Sequence, residues 1–235
     1  MTLRLPLVIP DLHGCSALLN STVTQYPDRR FVFLGDYLDR GPDAPGVIRQ
    51  VRELVEAGRA EALWGNHDAM FVRAMLEDDG TPRPIEHALV SLWDFQTLFQ
   101  WPKIEAAQAD ARWMRDHLTQ WSRVEHVYLS HAAPHIEERH WGDAPDHLWK
   151  RPDQCREEGR APLPDGCTLA IHGHTPTPIL HPDSLALPTR FDWPDGTQSV
   201  YLDCAAFHTG QLAVLDLETF EVNMVTLAAA APDSP

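Results

Sequence analysis

Residues 31–42 read Phe31-Val32-Phe33-Leu34-Gly35-Asp36-Tyr37-Leu38-Asp39-Arg40-Gly41-Pro42. A short apolar run closed by glycine has the length and composition of a buried β-strand. Two aspartates and an arginine follow at the point where that strand must end. The same order recurs on both sides. Leu5–Pro10 is an apolar run ending in Pro10-Asp11-Leu12-His13-Gly14, and Ala60–Trp64 is another, ending in Gly65-Asn66-His67-Asp68. Helical stretches separate the three. Ser16–Tyr26 has apolar residues at helical spacing and stops at Pro27-Asp28. In Ala44–Gly58, Val47, Ile48, Val51, Leu54 and Val55 share one face. Strand alternating with helix implies an α/β fold, with a mostly parallel sheet and helices on its faces.

Outward from this core the pattern changes. Residues 69–122 carry apolar and aromatic residues at helical spacing, among them Phe71, Met75, Trp93, Leu98, Trp113 and Trp121, with breakers at Gly80–Pro84 and Trp101-Pro102. They read as a helical insertion over the sheet. Val124–Leu129 and Thr168–Ile171 read as strands, and the Pro-, Gly- and acid-rich stretch 134–166 as a long loop region. Ser199–Ala206, Gln211–Leu217 and Val222–Leu227 read as an antiparallel meander. Residues 1–228 are then a single domain, and 229–235 a disordered tail.

Composition sets bounds. The chain has 235 residues, enough for a sizeable core, and its 43% apolar and 23% charged residues are ordinary globular usage. With 34 acids against 19 bases the net charge is −15, which argues against a nucleic-acid partner. No apolar run is long enough to cross a membrane. Cys15, Cys155, Cys167 and Cys204 form no Cys-x-x-Cys pair and read as thiols of a reducing, cytoplasmic compartment.

The chemistry gathers at strand ends. Besides the three blocks above, later strands end in Ser130-His131-Ala132 and His172-Gly173-His174-Thr175-Pro176. Ligands of open α/β sheets bind outside the carboxyl ends of the strands. Asp11 and His13 are two apart and leave an extended chain on one face. Asp36 follows Asp11 by 25 residues and Asn66 follows Asp36 by 30, each the length of a strand–helix–strand crossover. Carboxylate, imidazole and amide oxygen without thiolate suit manganese, iron or zinc. Each block alone is weak, since a glycine-flanked aspartate is often a turn and a lone histidine often structural. Five in order are not.

The blocks PDLHG, GDYLDRG, GNHD, SHA and GHTP resemble the calcineurin-like metallophosphoesterases, in particular the phosphoprotein-phosphatase branch with its bacterial and phage-type serine/threonine phosphatases. Tyr201-Leu202-Asp203-Cys204 is similar to that family's closing strands. The resemblance implies a two-sheet β-sandwich flanked by helices and a centre of two divalent ions, manganese first, with iron or zinc as alternatives. Asp11, His13 and Asp36 would hold one ion, with Asp36 bridging to a second held by Asn66, His131 and His174. A metal-bridging hydroxide would attack phosphorus. His67 would be the general acid, Asp39 its partner, and Arg40, Asn66 and Arg151 would bind phosphate. His172 would be structural or lie behind the ligands. The implied activity is hydrolysis of phosphoric monoesters, first of phosphoserine or phosphothreonine in proteins. The alternative is hydrolysis of diadenosine polyphosphates, whose relatives share the GNHD form ending in Asp68. Of the remaining histidines, His87, His117, His126, His135, His140 and His147 read as structural or solvated, and Trp93, Trp101, Trp113 and Trp121 as core.

Overall fold

In the computed structural model, Leu7–Ile9 (β1), Phe31–Phe33 (β2) and Ala60–Ala62 (β3) pair in parallel, with Leu7 opposite Phe31 and Phe31 opposite Ala60. Residues 4–86, 95–134, 146–181, 183 and 185–227 are described. Helices α1 (Ser16–Gln25) and α2 (Ala44–Glu56) make the crossovers. The start of α2 is set by Asp43, whose side chain accepts from the Gly46 N–H at 3.0 Å, with Pro45 in the first turn. Helix α3 (Asn66–Met75) leaves β3, followed by α4 (Phe95–Leu98) and α5 (Ile104–His117).

The chain then builds a second sheet. Trp121–Val124 (β4) and Val127–Ser130 (β5) form a hairpin. Short helices α6 (Asp146–Trp149) and α7 (Pro152–Glu158) lead to Leu169–His172 (β6), Thr189–Asp192 (β7) and Gln198–Tyr201 (β8). After α8 (Ala206–Thr209) the chain returns to the first sheet as Gln211–Asp216 (β9) and Val222–Thr226 (β10). The sheet orders are β10-β9-β1-β2-β3 and β4-β5-β6-β8-β7. Three strands run parallel in each: β1, β2 and β3 in one, β5, β6 and β8 in the other.

Alternation of side chains explains the layering. Val8, Val32, Leu34 and Leu63 meet Val127, Leu129, Ile171 and Leu202 in one buried cluster between the sheets. Leu7, Ile9, Phe31 and Phe33 pack instead with residues of α1, α2, α3 and α5 in a larger cluster. β1 and β2 are thus buried on both faces, which is why each reads as an unbroken apolar run. Burial of each such side chain contributes about 1.5–3 kcal/mol. Among the described residues no helix is long and apolar enough to cross a membrane, and no disulfide joins the four cysteines.

Four expectations are corrected. Val124–Leu129 is not one strand: Glu125, at φ +54°, and His126 form the turn between β4 and β5. Trp121 belongs to β4 and is partly exposed, not in the helical core, whereas Trp101 and Trp113 are buried. The stretch 134–166 contains α6 and α7 as well as loop. The closing strands are not a single meander. β8 pairs in parallel with β6 in the second sheet, and only β9 and β10 form a hairpin, in the first. Local alternation marks a strand but not the sheet it joins. β7 was not anticipated, because Thr189-Arg190-Phe191-Asp192 is an edge strand of mixed polarity. His87, Trp93, His135, His140, the side chain of His147 and the tail from 228 lie outside the described residues.

Candidate metal centre

The six parallel strands end at one place, three from each sheet. β1 delivers Asp11 and His13, β2 Asp36, Asp39 and Arg40, and β3 Asn66 and His67 at the start of α3. From the second sheet, β5 delivers His131, β6 His174 and β8 Asp203. The blocks after β2 and β3 touch only because both begin with glycine. A Cβ on Gly35, at φ +99°, would lie 2.4 Å from the Gly65 nitrogen, and one on Gly65 would lie 2.1 Å from Asp36 Oδ1. His13, Asp36, Asp39, Arg40 and His174 all take left-handed backbone conformations. Such conformations are costly for residues with a Cβ and gather where surrounding structure enforces them.

Asp36 lies at the middle. Its Oδ2 is 3.6 Å from His13 Nε2 and its Oδ1 is 3.5 Å from His131 Nε2. Two groups of potential ligand atoms share it: His13, Asp36 and His67, and Asp36, His131 and His174. Asn66 Oδ1 joins the second group, 2.9 Å from both His131 Nε2 and His174 Nδ1. The far nitrogen of each imidazole donates to a backbone carbonyl. His13 Nδ1 donates to Leu38 (2.9 Å), His131 Nδ1 to Leu34 (2.8 Å) and His174 Nε2 to Trp149 (3.0 Å). That pattern fixes the tautomer and turns the other nitrogen's lone pair inward, as metal-ligating histidines require. His131 Nε2, His174 Nδ1 and the Asn66 amide oxygen thus converge on one point. A cation is the group that fits.

Electrostatics agree. The cluster calls for positive charge. Burial opposes a charge on His131, yet the Asp36 and Asp11 carboxylates raise its pKa to about 10. Burial also works against the Asp36 carboxylate, but His131, His67 and His13 hold it well below the usual range. Burial lowers His13 and His174 to about 3, so both stay neutral and available.

Asp11 falls in neither ligand group. Its two oxygens accept from the His174 N–H at 2.9 and 3.0 Å, and burial together with the Asp203 and Asp36 carboxylates raises its pKa. His67 lies between roles: Nδ1 donates to Asp39 Oδ2 at 2.6 Å and Nε2 is 3.3 Å from an Arg40 nitrogen. Burial opposes its charge, but Asp36 and Asp39 raise its pKa. Arg151, at the start of α7, lines the same pocket as Arg40, Asn66, His67, Trp149 and His174. Asp68 is no part of that lining. It accepts from the N–H groups of Asp36 (2.7 Å), Tyr37 (3.0 Å) and Gly65 (2.9 Å), which ties the second block to the third. His172 is fully buried beside Ser130, with Tyr201 5.1 Å away.

Three residues at the site were not singled out from sequence. Asp203 is buried, accepts from the Ala205 N–H, and has its pKa raised to about 6, chiefly by burial. It obeys the strand-end rule that found the others, and it was masked by the reading of 199–206 as one continuous strand. Phe207 packs edge-on against His13 at 5.5 Å and lies under the Arg40 guanidinium at 5.0 Å. Thr97 reaches the site from α4, and no local signal marks it.

A β-sandwich with paired carboxylate–imidazole clusters at its strand ends is the framework of a metal-dependent phosphoester hydrolase. The chain belongs to the calcineurin-like phosphoesterase family, whose model matches residues 6–200. It is 45% identical over 64 residues to the symmetrical bis(5'-nucleosyl)-tetraphosphatase of Ralstonia nicotianae, an alignment covering 27% of this chain and 23% of that protein. The structure is similar to a candidate diadenosine tetraphosphatase, with a TM-score of 0.58 and 18% identity, over 95% of this chain and 94% of the other. It is also similar to a protein serine/threonine phosphatase from Saccharomyces cerevisiae, with a TM-score of 0.53 and 12% identity, over 97% and 81% of the two chains. At these identities the structural likeness is one of fold.

Proposed function

We propose that this protein hydrolyses dinucleoside polyphosphates, with two divalent ions held by Asp11, His13, Asp36, Asn66, His131 and His174. The observation that carries the reading is the pocket beside the two ligand groups. Its volume is about 130 Å³, and two guanidinium groups, Arg40 in the loop after β2 and Arg151 at the start of α7, line it together with the start of α3. Several phosphates in a row suit two separated planar donors and a helix N-terminus. The partly exposed Trp149 on the pocket wall offers an aromatic face to a nucleoside. The tetraphosphatase named among the relatives supports the same substrate class.

Divalent ions at such a site polarise phosphoryl oxygens and make water nucleophilic at neutral pH. The chain's own groups do the rest. Arg40 and Arg151 hold the phosphate oxygens. His67 delivers a proton to the departing oxygen from Nε2, and Asp39 holds Nδ1 and favours the cationic ring.

A second reading, hydrolysis of phosphoserine or phosphothreonine, is favoured by the 2.6 Å Asp39–His67 pair. A serine alkoxide needs a proton on leaving far more than a nucleotide phosphate does. Comparing kcat/KM for diadenosine tetraphosphate and a phosphothreonine peptide, with manganese, iron, nickel, cobalt and zinc in turn, decides between them. A preference for the dinucleotide is expected; a preference for the peptide overturns the first reading. His67→Asn is expected to retain two ions per chain and lose about 10²-fold or more in kcat on a substrate with a poor leaving group. Loss of an ion instead would place His67 among the ligands.

A further inference from the structure

The Asp39–His67 pair has a third member. Thr97 is buried, 1% exposed, in the helical segment between α3 and α5. Its hydroxyl donates to Asp39 Oδ1 at 2.5 Å, while Asp39 Oδ2 accepts from His67 Nδ1 at 2.6 Å. The two carboxylate oxygens thus meet one donor each, from different parts of the chain. Asp39 itself sits in a left-handed loop, φ +69°, next to Arg40 at φ +65°. A carboxylate turns easily about its last torsion, so one hydrogen bond does not fix its plane. Two on opposite oxygens do.

The rest of the segment is fastened to the same loop. Gln100 Nε2 donates to the Gly41 carbonyl at 3.0 Å, and Gln100 Oε1 accepts from the Ala44 N–H at 2.7 Å. Trp101 stacks on Phe71 of α3 at 5.1 Å. The segment therefore grips both the loop carrying Asp39 and the helix that carries His67 in its first turn.

We propose that Thr97 is a positioning residue for the His67 proton donor. Its hydroxyl holds the Asp39 carboxylate in the orientation in which Oδ2 meets His67 Nδ1. The proposal rests on the reading of His67 as general acid. In that step a hydroxide oxygen forms a bond to phosphorus while the bond from phosphorus to the leaving oxygen breaks, and the broken bond's electron pair stays on the leaving oxygen. The His67 proton neutralises that oxygen, and a neutral imidazole remains bonded to Asp39. A poor leaving group such as phenolate depends on this proton, whereas p-nitrophenolate, stable at neutral pH, does not.

The test uses the full chain loaded with manganese, with phenyl phosphate and p-nitrophenyl phosphate as substrates of similar shape. Thr97→Val is expected to lower kcat on phenyl phosphate about tenfold, with KM unchanged within about twofold, and to leave kcat on p-nitrophenyl phosphate within about twofold. Thr97→Ser is expected to restore both. Equal losses on the two substrates, a loss confined to KM, or failure of serine to restore would each overturn the proposal. The thermal midpoint of Thr97→Val is measured alongside, and a variant that unfolds at the assay temperature shows the equal loss that counts against it. His67→Asn on the same pair separates the two levels. If it shows no dependence on the leaving group, the reading of His67 falls and this proposal with it. If it shows that dependence and Thr97→Val does not, only the role of Thr97 falls.

Discussion

Gly65 illustrates how little space the centre leaves. Its missing Cβ is what allows Asp36 Oδ1 to approach the start of α3, where it accepts from the His67 N–H at 3.0 Å. In Gly65→Ala the methyl would sit 2.1 Å from that oxygen, against backbone that cannot retreat. We expect this variant to fold and to bind fewer than two ions per chain, read by elemental analysis after gel filtration. Full occupancy would show that Asp36 can move without loss. At this scale the sequence was informative because these residue types are rare in combination. Asp11, His13, Asp36, Asn66, His131 and His174 all lie at strand ends, where the pattern placed them. It was uninformative about Thr97 and Phe207, since a threonine or phenylalanine in a helix carries no mark of what it faces.

At the scale of elements, the return of β9 to the first sheet is secured by Arg29, just before β2. Its guanidinium pairs with both oxygens of Asp216 at 2.7 and 2.8 Å and donates to the Leu5 carbonyl at 2.8 Å. The hydrogen bond from Arg29 holds the Asp216 carboxyl below its ordinary value. A depressed carboxyl pKa contributes stability above the unfolded value, about 3.9, which is lost at lower pH as the folded carboxyl protonates. Asp216→Asn is therefore expected to cost about 2 kcal/mol at neutral pH. In urea titrations its deficit should shrink as the pH falls below about 3.9; a deficit independent of pH would refute the assignment. Neither residue stood out in the sequence, because they are 187 positions apart. The same distance problem explains the misplaced β8. Its alternation is visible locally, but pairing with β6 rather than β9 is settled by the inter-sheet core that Leu202 joins.

For the whole molecule, the centre is a seam. His13, Asp36 and Asn66 come from one sheet, and His131 and His174 from the other, so ions bound there tie the two together. Ligand that binds only the folded chain stabilises it by about 2.7 kcal/mol at a hundredfold excess over Kd. For a chain of this size that raises Tm by about 5–10 °C. Manganese added to chelator-treated protein should produce such a rise, and Asp36→Asn, which lacks the shared ligand, should show little of it. An equal rise in the variant would place the ions elsewhere. On the proposed reading the net charge of −15 would not oppose an anionic substrate, because divalent ions bound beside Arg40 and Arg151 would make the pocket locally positive.

What the sequence determined by itself was the order of strands and helices in the first 68 residues and the chemistry at the strand ends. Both are short-range properties, written as apolar runs bounded by glycine and followed by polar blocks. Tertiary structure alone decided which sheet each later strand joins, and that Asp203 lies beside Asp11. It alone decided that Asp68 braces two backbone turns while staying out of the pocket, and that α4 reaches Asp39 through Thr97. These depend on contacts between segments far apart in the chain, where packing between the sheets and the fit of a single hydroxyl against a carboxylate settle the outcome.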